Sequence, residues 1–307
     1  MVITSERVLV VGASGFLGTA VSTHFSSLGI PVTGIDVVPP QDTHIYSDFY
    51  LSERLEEILE TVLVRHQPTY LVHVAGNANV GRSVEDPRYD FVNSVDLFSI
   101  VLDHIRRVSL ETKVLFTSSA AVYGQPKALP ITEELAPSPI SPYGYHKWMC
   151  EQLSREYSSL YEVSVASIRI FSAYGAGLRK QILWDLCEKC RSDGPVQLGG
   201  DGSETRDFIH AKDIARAILC IVRGGTFNGE IYNVASGVET SISDLAHHVL
   251  SAYGIPFDRL GFSGSSRVGD PKNWRADISR LTALGFSPTV DFVAGVAEYV
   301  EWYKKLR

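Results

Sequence analysis

Short, almost wholly apolar runs alternate with amphipathic stretches from the start of the chain, and this alternation restricts the fold more than any other feature. RVLVVG (7–12) precedes a helical TAVSTHFSSLG, IPVTGID (30–36) precedes a helical SERLEEILETVLVRH (52–66), and TYLVHVAG (69–76) precedes a third helical pattern over about 89–107. KVLFTSS (113–119) follows, then a helix from Tyr143 to about Leu160 and the run VSVASIRIF (163–171). Strands without polar alternation are buried on both faces, so these runs belong to a parallel sheet covered by helices on either side. The predicted class is α/β: a doubly wound parallel (Rossmann) sheet with a smaller mixed α/β C-terminal lobe. After about residue 176 the alternation weakens and Gly, Pro and Ser turns increase, while FIHAKDIARAILCIV (208–222) reads as a return to the first lobe.

Composition narrows the class of function. The chain has 307 residues, 45% hydrophobic and 21% charged, which excludes a small binding module and wholesale disorder. Its net charge is −7, with no run of basic residues, so nucleic acid and anionic membrane are not expected partners. No apolar stretch reaches the roughly 18 residues of a membrane span, and MVITSERVLVVGASG lacks a signal peptide's long apolar segment; a cytoplasmic location is expected. Four cysteines (Cys150, Cys187, Cys190, Cys220) are too few for a disulfide framework. CEKC at 187–190 lies in a helical pattern with no second pair and no nearby histidine, so no metal is expected.

GASGFLG directly follows the first strand and places Gly12, Gly15 and Gly18 at three-residue spacing where strand turns into helix. Such a turn must be tight, must leave room for a pyrophosphate at the positive helix N-terminus, and must let helix and sheet pack closely. The neighbouring Phe16 and Leu17 belong to the same expected cofactor contact. Asp36 closes the second strand, where a carboxylate bonds both adenosine ribose hydroxyls and repels a 2′-phosphate, which selects NAD over NADP. Asp48 and Phe49 are expected to follow the third strand, at the adenine edge. Residues 1–175 are read as the NAD-binding domain, with the chain returning to it at about 206–236, and 176–307 mainly as the substrate lobe.

Tyr143 and Lys147 stand four apart in YGYHK, on one face of a helix start. A tyrosine titrates near pH 10, so its use as a base near neutrality requires about 4 kcal/mol of preferential phenolate stabilisation, which an adjacent ammonium and a cationic nicotinamide would supply. KVLF ends in Thr117-Ser118-Ser119, and a strand-end hydroxyl, Ser119 before Ser118, is placed to hold the reacting oxygen.

These motifs occur in an order that resembles the extended short-chain dehydrogenase/reductase family: GASGFLG, Asp36, HVAG at 73–76, Asn93 in FVNSVD, SSAAVYG at 118–124, SPYGYHK at 141–147, RIFSAYG at 169–175, ETRDFIHAKDIARAI at 204–218 and RVGDPKNWRADISRL at 267–281. Within it, the likeness is to NAD-dependent nucleotide-sugar epimerases of the UDP-glucose 4-epimerase type. The resemblance implies Ser119, Tyr143 and Lys147 as catalytic triad. It also implies NAD contacts from Val74, Ala75, Gly76, Asn93 and Ser118 besides the glycine loop, nucleotide-phosphate contacts from Arg206 and Arg267, and Asp270 on the nucleoside ribose. The family's dehydratases carry Asp-Glu where this chain has Ala120-Ala121, and its decarboxylases keep a Glu at the second place, so neither reaction is expected.

The implied activity is epimerisation of a nucleotide-diphosphate sugar, UDP-linked and a hexose or hexuronate derivative, at the 4-position through a transient 4-keto sugar, for surface-polysaccharide precursors. The alternatives are a nucleotide-sugar ketoreductase and a non-catalytic NAD-binding protein. Ser172 replaces the Asn common in R-x-F-N. Trp274 occupies a position where side-chain size governs the fit of bulky sugars. Arg179 or Lys180 is expected to face the sugar and favour a negative or strongly accepting substituent, while Tyr145 and His146 are read as structural. A homodimer through the helices near 90–107 and 143–160 is implied as well.

Overall fold

The computed structural model describes residues 6–265 and 272–306. Seven parallel strands form the central sheet: β1 (Val8–Val11), β2 (Val32–Asp36), β3 (Asp48–Leu51), β4 (Tyr70–His73), β5 (Lys113–Ser119), β6 (Val165–Ile170) and a later strand, Asn228–Val234. The order is β3-β2-β1-β4-β5-β6, closed by Asn228–Val234 beside β6. The chain winds outward from β1 to β3 and then returns to β4 beside β1. The reversal, where an open α/β sheet offers its ligand crevice, therefore lies beyond the C-terminal ends of β1 and β4.

Alternate side chains along the strands feed two cores. Val8, Val10, Val72 and Leu115 pack with Phe25 of α1 (Phe16–Ser27) and with Ile214, Ile218 and Ile221 of a later helix, Ala211–Gly224. Leu9, Val11, Leu71, Val114 and Phe116 pack on the other face with Leu59 of α2 (Leu55–His66) and with residues 98–105. Each such side chain, fully buried, contributes roughly 1.5–3 kcal/mol of apolar transfer.

The helix expected over about 89–107 is present as one unbroken helical run over residues 87–108. A short α3 (Val80–Glu85) precedes it, and the run itself comprises α4 (Pro87–Phe91), a π-helical turn Val92–Asp96 and α5 (Leu97–Val108). Pro87 has no N–H to continue α3, and the Asp86 side chain caps α4 by accepting from Tyr89 N at 2.9 Å. A 3₁₀ turn at Ala120–Tyr123 follows β5, and α6 (Pro142–Tyr161) lies across the sheet between β5 and β6 in sequence.

The remaining elements are β7 (Ser172–Tyr174), α7 (Gln181–Cys190), β8 (Val196–Leu198), β9 (Thr205–Arg206), β10 (Phe208–His210), α8 (Ala211–Gly224), β11 (Asn228–Val234), β12 (Thr240–Ser241), α9 (Ile242–Tyr253), β13 (Leu260–Phe262), α10 (Ser279–Ala283) and α11 (Phe292–Lys305). A separate core joins α7, α9 and α11 through Leu186, Cys187, Leu245, Val249, Tyr299 and Val300. Cys187 and Cys190 are free thiols buried in it. Among the described residues no helix is long and apolar enough to cross a membrane, and no group of three His, Cys, Asp or Glu is placed to hold a metal ion.

A charged pair and a histidine are buried where α6 and the sheet meet. Glu151 of α6 and Arg169 of β6, each about 1% exposed, form a two-pronged ion pair at 2.7 and 2.9 Å. His73, at the end of β4, is fully buried, stacks on Phe116 at 5.9 Å and has no hydrogen-bond partner on either ring nitrogen. Burial holds its pKa down at about 3, with the Lys147 ammonium adding to the effect. Below the free value near 6.5 the unfolded chain takes up a proton that the folded chain refuses, so this histidine removes stability as pH falls from about 6.5 toward 3. His73→Phe is expected to gain on the wild type by up to about 1.4 kcal/mol per pH unit across that range. Urea unfolding of both proteins at several pH values checks this, and a pH-independent difference contradicts it.

Candidate active site

The β1–α1 turn fits a dinucleotide. Gly12 has φ +89°, and a Cβ there would lie 2.6 Å from Ala75 N; a Cβ on Gly18 would lie 2.0 Å from Gly12 O. The first strand, the first helix and the loop after β4 thus meet at a closeness only glycine permits. Gly15 is the N-cap of α1, and no side chain caps that helix, so its positive end is open to an anion. Phe16 and Leu17 begin it, and Val74 and Ala75 anchor the facing loop by donating from N to Val11 O at 2.9 Å each. Gly76 has φ +128° and lies against the Asn93 carbonyl, while Asn93 Nδ2 donates to Tyr89 O.

Asp36 ends β2, and its carboxylate accepts from Ser14 N at 2.8 Å and Val38 N at 3.1 Å. It stays part-exposed at the crevice, with lone pairs left for a ribose. Asp48 and Phe49 are corrected: they open β3 instead of following it. Asp48 pairs level with Thr33, whereas Leu51 pairs level with Asp36. The Asp48 carboxylate instead faces Tyr50 at 3.3 Å and His66 at 3.5 Å, and Phe49 packs on Tyr46 and over Gly34. The backbone at the crevice end of β3 is Leu51–Ser52, with Ser52 N donating to Asp36 O.

The catalytic candidates converge because α6 is seated on the end of β5. Ser141 caps the helix, its Oγ accepting from Gly144 N at 3.2 Å, and Pro142 occupies the first turn. A Cβ on Gly144 would lie 2.7 Å from Ala121 O, so a glycine next to Tyr143 lets the helix start press against the turn after Ser119. Tyr143 N donates to Ser83 Oγ of α3. Lys147 is buried, donates from Nζ to Thr117 O at 2.8 Å, and lies 5.8 Å from the Tyr143 ring centre and 4.8 Å from that of Phe116. Burial pushes the Tyr143 phenol up to about 12; the Ser119 hydroxyl pulls it down, and Asp90 pushes it further up. Burial also lowers the pKa of the Lys147 ammonium, opposed by Cys150, Asp90 and Glu151 and reinforced by Lys180.

Ser119 Oγ caps the 3₁₀ turn by accepting from Ala121 N at 3.2 Å. Ser118 turns the other way: its hydroxyl donates to Glu151 Oε1 at 2.6 Å in the buried ion pair, so only its backbone faces the crevice side. Glu151 was not singled out from the sequence, although Tyr143, Lys147 and Glu151 recur at four-residue spacing on one face of α6. That periodicity was the available signal.

On the substrate side, Ser172 begins β7, its N–H on Asp207 O. Arg206 lies in β9, donates from Nη1 to Thr205 O at 2.8 Å, and stands 5.7 Å from the Trp274 ring centre. Trp274 Nε1 donates to Gly124 O at 3.2 Å, and the indole meets Phe171 edge-on at 5.9 Å. Trp274 is thereby fixed just past the Ser119 turn. Arg267 and Asp270 lie outside the described residues. Arg179 is exposed; Lys180, beside it, reaches inward and donates from Nζ to Ala78 O at 2.7 Å. Burial lowers the Lys180 pKa, and its charge in turn lowers that of Lys147.

The pattern that defines the NAD dependent epimerase/dehydratase family matches residues 8–235, and this chain belongs to that family. It is 30% identical to a UDP-glucose 4-epimerase of Mycolicibacterium smegmatis, over 97% of this chain and 98% of that one. Its fold is similar to that of a UDP-glucuronic acid 4-epimerase from Bacillus cereus solved with UDP-glucuronic acid and NAD, at TM-score 0.89 and 26% identity, covering 98% of this chain and all of the other. A UDP-N-acetylglucosamine 4-epimerase from Methanobrevibacter ruminantium M1, in complex with UDP-N-acetylmuramic acid, superposes at TM-score 0.87 and 25% identity, covering 99% of this chain and 100% of the other. The glycine cradle and Asp36 fit the NAD on which the family depends.

Gly18→Ala is expected to fold but to lose NAD, because the added methyl meets backbone and not a movable side chain. At least about a tenfold rise in NAD dissociation constant, some 1.4 kcal/mol, is anticipated by calorimetric titration. Wild-type affinity in that variant contradicts the cradle.

Proposed function

We propose that this chain interconverts the C4 epimers of a nucleotide-diphosphate sugar, UDP-linked, with bound NAD. The single observation that carries the reading is the convergence of Ser119, Tyr143 and Lys147 beside the Gly12–Gly18 cradle, with alanines at 120 and 121. The residues that would hold NAD are the glycine turn, Asp36, the loop 74–76 and Lys147. When bound, NAD supplies the redox capacity at the sugar's C4. Tyr143 Oη takes the 4-hydroxyl proton and later returns it, Ser119 Oγ holds the same sugar oxygen, and the Lys147 ammonium favours the phenolate. Ala120 and Ala121 offer no carboxylate for eliminating water, which separates this reading from a dehydratase. A ketoreductase would consume external cofactor, whereas an epimerase turns over without it.

The proposed division of labour follows the two cores: residues 1–175 with about 206–236 for NAD, and 176–307 mainly for the nucleotide sugar. Arg206 and, outside the described residues, Arg267 and Asp270 are proposed to hold the nucleotide. Trp274 and Ser172 are proposed to wall the sugar. Surface-polysaccharide precursor synthesis is the proposed setting. A homodimer through the helical run 87–108 and α6 is supported by the exposure of Val92 in the π-helical turn and of Tyr145 and Met149 in α6, at 36, 45 and 42%. Leu102, buried against the sheet, takes no part in it. Sedimentation at the mass of one chain overturns the dimer.

For the sugar, we assign the acid-reading role to Lys180. A desolvated ammonium bonded to the neutral Ala78 carbonyl suits a carboxylate or strong acceptor on the hexose, whereas Arg179 is exposed to solvent. Lys180→Ala is expected to cut kcat/KM for UDP-glucuronate at least about tenfold more than for UDP-glucose, the scale of one lost charge-assisted bond. Arg179→Ala is expected to leave the ratio unchanged. Epimerisation followed by NMR, with Tyr143→Phe as inactive control, reads both. An unchanged ratio in Lys180→Ala rejects the hexuronate reading, and activity in Tyr143→Phe rejects the catalytic one.

A further inference from the structure

His146 stands between Tyr143 and Lys147 in the sequence, yet it turns toward α4. Its Nδ1 lies 2.5 Å from Oδ2 of Asp90, a carboxylate with no solvent exposure. The other oxygen, Oδ1, accepts from Asn77 Nδ2 at 2.6 Å. Phe91 closes over the imidazole edge-on at 5.5 Å. One carboxylate therefore joins three elements: α4 carries it, α6 supplies His146, and the loop after β4 supplies Asn77. Asn77 also bonds Asn79 at 3.0 and 3.2 Å, which orders the loop whose Ala78 carbonyl holds Lys180.

We propose that Asp90 is a positioning and charge-setting residue for the epimerase: through His146 it fixes the first turn of α6, through Asn77 it fixes the loop 77–79, and its buried charge acts on Tyr143 and Lys147. The inference rests on the proposed role of Tyr143. Groups face this pair from every side: Ser119 from the end of β5, His73 from β4, Cys150 and Glu151 from α6 itself, Lys180 ahead of α7, and Asp90 from α4. Arg169 of β6 neutralises Glu151 through a two-pronged pair. Asp90 has a histidine and an amide instead of such a guanidinium. Its charge disfavours loss of the proton from both the phenol and the ammonium.

The sign follows. Tyr143 must lose its proton to act, which sets the acid limb of the kcat/KM profile; Lys147 must keep its proton, which sets the alkaline limb. Removing the negative charge eases proton loss from both. Asp90→Asn, nearly the same shape, is expected to move both limbs to lower pH by roughly 0.5–1 unit, the scale of one nearby charge in a partly desolvated site, and to lower kcat. His146→Gln keeps the carboxylate, so it is expected to lower kcat at least about threefold with neither limb moving toward acid. Limbs that stay put in Asp90→Asn, or that move to acid in both variants, overturn the proposal. A buried carboxylate that served stability alone would depress the melting temperature and leave the limbs where they are. Should Asp90→Asn not fold, His146→Gln decides: reduced kcat with limbs not displaced to acid supports the proposal, and kcat within about twofold of wild type overturns it. Tyr143→Phe is measured alongside. If it stays active, the reading of Tyr143 itself has failed, and that outcome is distinct from an unmoved profile in Asp90→Asn with an inactive Tyr143→Phe.

Discussion

The site depends on the seating of one helix on the end of one strand. Lys147, buried with its ammonium on the Thr117 carbonyl, ties the second turn of α6 to β5. Glu151, one turn further, ties it to Ser118 and to Arg169 of β6. Gly144 lets the first turn press on the Ala121 backbone. With those contacts made, Tyr143 has little choice of position relative to Ser119. Burying Lys147, Glu151 and Arg169 carries a desolvation cost, and a buried charge without its partner would be worth several kcal/mol against the fold, so the arrangement holds together as a set.

The cofactor end obeys a different constraint, which is steric. Gly12 and Gly18 are positions where a single methyl would strike backbone, and Asp36 is held toward the crevice by two peptide N–H groups. The two ends meet because β1, β4 and β5 are adjacent and parallel, which brings the glycine turn, the loop 74–79 and Ser119 to one edge of the sheet. Lys180 crosses that edge from the second core to Ala78, and Trp274 reaches it from the C-terminal segment to Gly124.

Much of this was legible in the sequence, for reasons that differ by residue. The strands read clearly because burial on both faces leaves unbroken apolar runs, and the glycine turn because its spacing is dictated by contact distances. Tyr143 and Lys147 read through their helical spacing. Asp48 and Phe49 did not, since strand ends depend on register: β3 starts at Asp48, and the crevice end falls at Leu51. Asp90 and His146 are far apart in the chain, and only the fold shows that His146 turns to α4. Ser118 and Ser119 are adjacent hydroxyls on a strand, so alternation sends one into the Glu151 pair and leaves the other at the crevice. The choice between Arg179 and Lys180 was invisible to pattern because both precede the same helix, and only their direction separates them.

A phenol that burial holds at about 12 in the free protein is poorly suited to accept a proton near neutrality until a cationic ring is placed beside it. The decisive measurement is therefore the titration of Tyr143 itself, by NMR of ring-labelled tyrosine with Tyr143→Phe to assign the signal, in the protein free of NAD and saturated with it. Without NAD the phenol is expected to titrate above its ordinary value because of its burial, and with NAD bound its value is expected to be displaced toward neutrality. The same value in both states would contradict it.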